Sequence, residues 1–424
     1  MNSELFAHHR KVNQETPTRI VRWLFYAFVL SLPFEAVGEG WFEPTTIVGA
    51  ILLLSVLIQP GLFLRWPPKG FWCFIVYLYV FAALSLLEPA SLRSLTLLNV
   101  FLLAQLTILG WIGFSVMRDR QTAETALLTF AGGCVLLSLL QVTGIASSVA
   151  EVGADEIARV TAFGFHPNNL ARILMLGMVA FVGIAFIKTK GKLRPILIGG
   201  PIVLLIGVAL VQTGSRGALI ALAAGMMTVV CRRGTVMTKM LQGVGLVILA
   251  GLFFAVAMQS DVMRSRVEET IEEGDVARRD RIYPTAFEMF LERPMVGWGP
   301  ITSSYELGLR LAHPEEMTKN PHNLILYAFV STGIIGALPL FIGIGLVAHE
   351  GWKMRNGPHG VLPLSMFAAV IVANMSGLWL FNKLHWLVMA YVLASVYHVT
   401  HDLVVTTDDV QITTDDFAME RVVL

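Results

Sequence analysis

His322 lies in the run Asn-Pro-His-Asn-Leu-Ile-Leu over residues 320–326, so a titratable imidazole stands where a polar stretch gives way to an apolar helix. Such a ring accepts a proton from an attacking hydroxyl, or orients that hydroxyl by a hydrogen bond. Pro321 biases Asn320 to an extended conformation and fixes the helix entry, and the plainer role for His322 is to cap that helix beside Asn323. Arg216 occupies the turn Gly-Ser-Arg-Gly over 214–217, whose glycines let the backbone reverse and let another group come close. A guanidinium there, with Ser215 beside it, grips a phosphate bidentately and stays ionised; the alternative is a snorkelling arginine that marks the membrane edge.

Arg278, Arg279 and Arg281 form a third group, in Arg-Arg-Asp-Arg-Ile-Tyr over 278–283. They are either a solvated charge patch or a second set of cations around a pyrophosphate, where fixed positive charge in a partly desolvated cleft stabilises a diphosphate leaving group. A fourth group, Phe-His-Pro-Asn-Asn over 165–169, repeats histidine followed by asparagine at a helix entrance. His166, Asn168 and Asn169 either bind sugar hydroxyls or cap that helix. No carboxylate pair with metal-ligand spacing accompanies these groups, so a site without metal or other cofactor is expected.

The elements that hold these groups follow from composition. A chain of 424 residues with 55% hydrophobic and 14% charged content and a mean hydropathy of +0.68 does not fold as an ordinary soluble domain. Apolar runs long enough to cross a bilayer recur through it, and helices satisfy their backbone in lipid, so an all-α polytopic membrane protein is predicted. The net charge of +1, without a basic face, excludes a nucleic-acid partner. Cys73, Cys134 and Cys231 sit in or beside apolar spans without metal spacing and read as packing residues, not a disulfide.

Spans are expected at 20–37, 45–58, 71–87, 95–117, 124–143, 169–187, 195–212, 217–231, 240–258, 323–348, 361–380 and 384–400, about twelve in all. The first is a retained helix behind a leader over 1–19, and the acidic tail over 401–424 is expected to be disordered. Basic residues recur in every second short loop, among them Arg118 and Arg120, Lys188 to Arg194, Arg232 with Arg233, and Lys353 with Arg355. The positive-inside rule therefore predicts both termini in the cytoplasm. That threading leaves two longer outer segments, 144–168 and 259–321. The second carries an apolar pattern at helical spacing over 286–291, then the breakers Pro294, Gly297, Gly299 and Pro300.

All four polar groups then face the same outer surface, and this convergence favours an enzyme acting on a lipid-linked substrate. A transporter or channel for a small anion is the alternative, with the arginines as an attracting funnel. The near absence of ionisable groups midway along the spans speaks against coupled transport. A structural scaffold for an envelope complex is a third reading.

The second half of the chain, 165–393, resembles the bacterial O-antigen ligase and O-antigen polymerase superfamily. The likeness rests on Phe-His-Pro-Asn-Asn-Leu-Ala (165–171), Gly-Ser-Arg-Gly-Ala-Leu (214–219), Arg279 to Tyr283 followed by Pro-Met-Val-Gly-Trp-Gly (294–299), and Pro-His-Asn-Leu (321–324). It implies an integral-membrane glycosyltransferase fold in the bacterial inner membrane and an undecaprenyl-diphosphate-linked glycan as donor. It also implies inverting transfer to a glycan or lipid acceptor, alongside other polysaccharide-assembly proteins. The resemblance gives Arg216 and Arg279 the diphosphate and His322 the acceptor hydroxyl. Tyr283 stands where the family more often has tryptophan, and a stacking role is expected to survive the change. Ligase and polymerase remain equally open.

Overall fold

The apolar runs wind into helices because no water is available in lipid to satisfy their backbone groups. In the computed structural model, which describes residues 16–36, 43–64, 66–150, 159–189, 194–272, 279–311 and 318–398, the protein is predominantly helical. The leader up to residue 15, the tail and Arg278 lie outside the described residues. The described residues begin with α1 (Arg19–Ser31), α2 (Pro44–Ile58), a single helical turn at Pro60–Phe63, α3 (Lys69–Ser85), α4 (Arg93–Met117) and α5 (Arg120–Val142). Next come α6 (Pro167–Thr189), α7 (Arg194–Gln212), α8 (Arg216–Met227) and α9 (Val236–Ala257). The segment 259–321 supplies α10 (Asp261–Glu272), α11 (Arg279–Glu292) and α12 (Thr302–Arg310). The chain closes with α13 (Leu324–Met354), α14 (Leu362–Asn374) and a helix over 383–398, here α15.

Among the described residues five helices are long and apolar enough to cross a membrane: Ala90–Met117, Arg120–Val142, Pro167–Ala185, Val236–Ala257 and Leu324–Met354. Others, such as Pro44–Ile58 and Lys69–Ser85, are apolar but shorter. The chain is thus a multi-pass helical membrane protein, and the figure of twelve spans goes no further than the sequence expectation. The expectation of an all-helical chain needs one amendment. Within 144–168 a short antiparallel ladder forms between β1 (Ser147–Ala150) and β2 (Arg159–Ala162), with Ser147 opposite Ala162 and Ala150 opposite Arg159.

Two departures from the expected helix pattern build the site. The first is α13, which breaks at Gly333 (φ 58°, ψ −166°). Into the break fits the segment Pro294 to Gly299: Trp298 N–H donates to Val330 O at 2.8 Å and Gly299 N–H to Ser331 O at 3.0 Å. In return, Ile334 N–H donates to Pro294 O at 2.8 Å and Ile335 N–H to Met295 O at 3.1 Å. Gly333 has no room for a Cβ against the Met295 carbonyl, and at Gly297 a Cβ would lie 2.6 Å from Val330 O. Glycine is therefore required at both, by space and by positive φ.

The second departure is α14, expected to run to residue 380 but ending at Asn374. The buried Asn374 amide donates to Val370 O at 2.8 Å while its carbonyl accepts Trp379 N–H at 2.9 Å, closing a non-helical turn over 375–379. A side chain that competes with the helix ladder for backbone partners ends it locally. That turn carries Ser376 and Gly377.

Candidate functional site

Ser376 is the point on which the polar groups converge. Arg279, at the start of α11, donates from Nη2 to the Ser376 carbonyl at 2.9 Å. One turn on, Tyr283 donates its hydroxyl to the Met375 carbonyl at 3.1 Å, so α11 is pinned to the turn at two points. Gly217 abuts the Ser376 hydroxyl so closely that no Cβ fits between them. The Ser-Arg-Gly turn and Arg279 therefore meet the same residue, although Arg216, Arg279 and Ser376 are each at least 63 positions apart in sequence.

Arg216 opens α8, with Ser215 as its buried N-cap and Gly214 at φ 64° making the reversal. It lines the edge of an apolar chamber of about 590 Å³ between α6, α8, α9 and α10, whose walls include Leu219, Met226, Phe253, Met263 and Ile271. Among the described residues lining it, Arg216 is the charged one.

Behind this pair stands Arg172, 5% exposed and one turn inside α6. Its guanidinium packs on Gly377 where no Cβ would fit, donates to Asn169 Oδ1 at 3.2 Å and lies 5.7 Å from the Trp379 ring centroid. Arg159, from β2, is equally buried; it donates to Thr213 O and to Asn168 Oδ1, both at 2.8 Å. The two asparagines thus orient buried arginines, one of them linked to the carbonyl that precedes the Arg216 turn. His166 accepts the Asn168 N–H at 3.2 Å, and its pKa is lowered by burial and then by Arg159 and Arg172.

His322 stands across from these cations. Asn323 caps α13, its Oδ1 accepting from Ile325 N–H at 2.9 Å and Leu326 N–H at 3.2 Å, so the imidazole is not the capping group. His322 adopts φ 51°, a left-handed conformation uncommon outside glycine, held in part by a bond from its N–H to Asn320 Oδ1 at 2.9 Å. The residue as a whole is exposed, while its ring is partly enclosed and makes no hydrogen bond to another described residue. Its pKa is pushed down to about 4, first by partial burial and then by the charges of Lys319, Arg279, Arg172 and His166. The imidazole is therefore neutral at pH 7 and able to accept a proton.

The remaining candidates sit differently. Arg281 is exposed and, two residues from Arg279, lies on the far face of α11. Tyr283 contributes its hydroxyl to docking, with its ring beside the cluster of Ile282, Ala286, Met289, Leu307 and Val330. Arg172, Asn374, Ser376 and Gly377 escaped the sequence reading as site residues. The available signals were an arginine one turn inside an apolar span and the polar insert Asn-Met-Ser-Gly within a supposed helix.

Around Arg279 the described residues of α11, α12 and the stretch between them pack together. Trp298 donates to Met289 O at 2.8 Å and faces Arg293 and Arg310, whose guanidinium carbons lie 3.9 and 4.9 Å from its ring centroid. The buried Glu88 carboxylate receives Ile301 N–H at 2.6 Å and Thr96 Oγ1 at 3.0 Å, tying the start of α12 to α4.

A family model described as O-Antigen ligase matches residues 201–341, which hold Arg216, Arg279 and His322. The chain is also similar to the O-antigen ligase of Pseudomonas aeruginosa, at 26% identity over 362 residues, covering 83% of each chain.

Proposed function

We propose that this chain is a member of the O-antigen ligase family, as the matched family model and the Pseudomonas aeruginosa relative support, and that it transfers a glycan from undecaprenyl diphosphate to an acceptor hydroxyl at the outer face of the bacterial inner membrane. The observation that carries the proposal is the meeting of Arg279 and the Arg216 turn at Ser376, with the neutral His322 facing them and an apolar chamber running from Arg216. An anion with a long apolar tail fits that combination. The polyprenyl chain lies in the chamber, and Arg216 and Arg279 hold the diphosphate, with Arg172 adding positive charge from behind. The acceptor hydroxyl hydrogen-bonds to His322 and attacks the anomeric carbon from the face opposite the diphosphate. A new glycosidic C–O bond forms as the C–O bond to diphosphate breaks, the configuration inverts, and the hydroxyl proton passes to His322. Undecaprenyl diphosphate leaves with its charge balanced by the guanidinium groups, so the protein supplies mainly positioning and electrostatics, and a metal ion is not required.

The relatives' description favours a ligase over a polymerase, with a lipid-anchored glycan core as acceptor. The test is glycan transfer in reconstituted vesicles. Arg216→Lys and Arg279→Lys keep the charge but lose the planar fork, and each is expected to lower the rate by about 10²–10³-fold, as is His322→Ala. Wild-type transfer by all three variants would overturn the assignment.

A further inference from the structure

At the end of the helix bundle away from Arg216 and His322 lies a second chamber that glycan transfer leaves without a role. It opens among α6, α8, α9, α14 and the turn over 357–361 and has a volume of about 570 Å³, inside the range of about 300–1,000 Å³ common to small-molecule sites. Met226 lines this chamber and the outer one, so Met226 marks its inner end. Val229 and Leu362 continue the apolar wall, while Arg232, Gln242 and His359 supply its polar lining.

The rim is basic and built. Arg232 lines the chamber, Arg233 follows it and Lys239 lies one turn before Gln242; all three are exposed and make no ion pair with another described residue. The backbone that presents them is tied across to the neighbouring turn: Arg233 N–H donates to Asn356 Oδ1 at 2.8 Å, and Arg355 Nε to Cys231 O at 3.1 Å. His359 is fixed in the wall by Tyr391, at 2.9 Å from Nδ1, and by Glu124, at 3.2 Å from Nε2. Among the described residues lining the chamber none is acidic. A basic rim over an apolar pocket between membrane helices suits a phosphate headgroup with its acyl chain below it. A free phosphate would leave the apolar walls unused, and a neutral lipid would leave the cations unused.

We propose that this chamber binds an acidic phospholipid of the adjacent leaflet, its phosphate at Arg232 and an acyl chain against Val229 and Met226. The full-length protein is reconstituted in vesicles of mixed phosphatidylglycerol and phosphatidylcholine, extracted, and its retained lipid counted by native mass spectrometry. Phosphatidylglycerol is expected to be retained in preference. Arg232→Gln should lower that retention about fivefold, the worth of one cation near an anionic headgroup. Val229→Trp should displace the lipid with the rim intact; should that variant fail to fold in phosphatidylcholine alone, Arg232→Gln decides. Equal retention of the two phospholipids, wild-type preference in a folded variant, or a polyprenyl phosphate occupying the chamber would each overturn the proposal.

Discussion

Arg279 commits one N–H to the Ser376 carbonyl and makes no other bond to a described residue, so a guanidinium with five donors is anchored and still able to bind an anion. The same charge adds to the burial that keeps protons off His322. Arg279→Gln is therefore expected to raise the His322 pKa from about 4 towards its ordinary value, and imidazole NMR against pH would show it. Because the folded pKa is depressed, the unfolded chain binds more protons between the two values. Stability associated with His322 is complete above about 6.5 and declines as pH falls towards 4. Donor binding should relieve the part of the shift that the cations add to burial, since a diphosphate neutralises them. A His322 resonance that does not move when a polyprenyl diphosphate is added would sink that expectation. At this scale the sequence was informative about which residues carry charge and imidazole. It was silent on Arg172, whose significance depends on Gly377 and Trp379 arriving from more than 200 positions away.

Helices and turns are positioned by glycines and by one buried carboxylate. Gly333→Ala places a methyl against the Met295 carbonyl at a backbone conformation that suits glycine, and is expected to cost more than about 1 kcal/mol. The displaced Pro294 to Gly299 segment should carry α11 and Arg279 with it, so transfer should fall along with the melting temperature. Glu88→Ala strands the Ile301 and Thr302 N–H groups, while the Thr96 hydroxyl keeps the Leu92 carbonyl, at a cost of about 1–3 kcal/mol readable by thermal unfolding. An unchanged melting temperature in both variants would show that the outer segment is held by other contacts. The breakers Pro294 to Pro300 were legible as the end of a helix. Their insertion into α13 was not, because it depends on hydrogen bonds between segments more than thirty residues apart. The premature end of α14 escaped for a related reason: Asn374 terminates it through Trp379 and packs on His385, a partner that hydropathy does not reveal.

For the molecule as a whole, a strain lacking this protein is expected to accumulate full-length glycan on undecaprenyl diphosphate if it is a ligase, and single repeat units if it is a polymerase. An unchanged surface glycan would remove the enzymatic reading altogether. Hydropathy and the scarcity of charge were enough to establish a multi-pass helical membrane protein, since burial in lipid leaves the backbone few alternatives. Short motifs were enough to point to phosphate and hydroxyl chemistry, because guanidinium and imidazole have that chemistry in any fold. Which of those groups share a cavity belonged to the tertiary structure. Arg279 and Arg281 differ by two positions, yet α11 turns only Arg279 to Ser376. Distance in space between residues from separate helices is set by packing and by a few buried hydrogen bonds, and neither leaves a periodic trace in the chain.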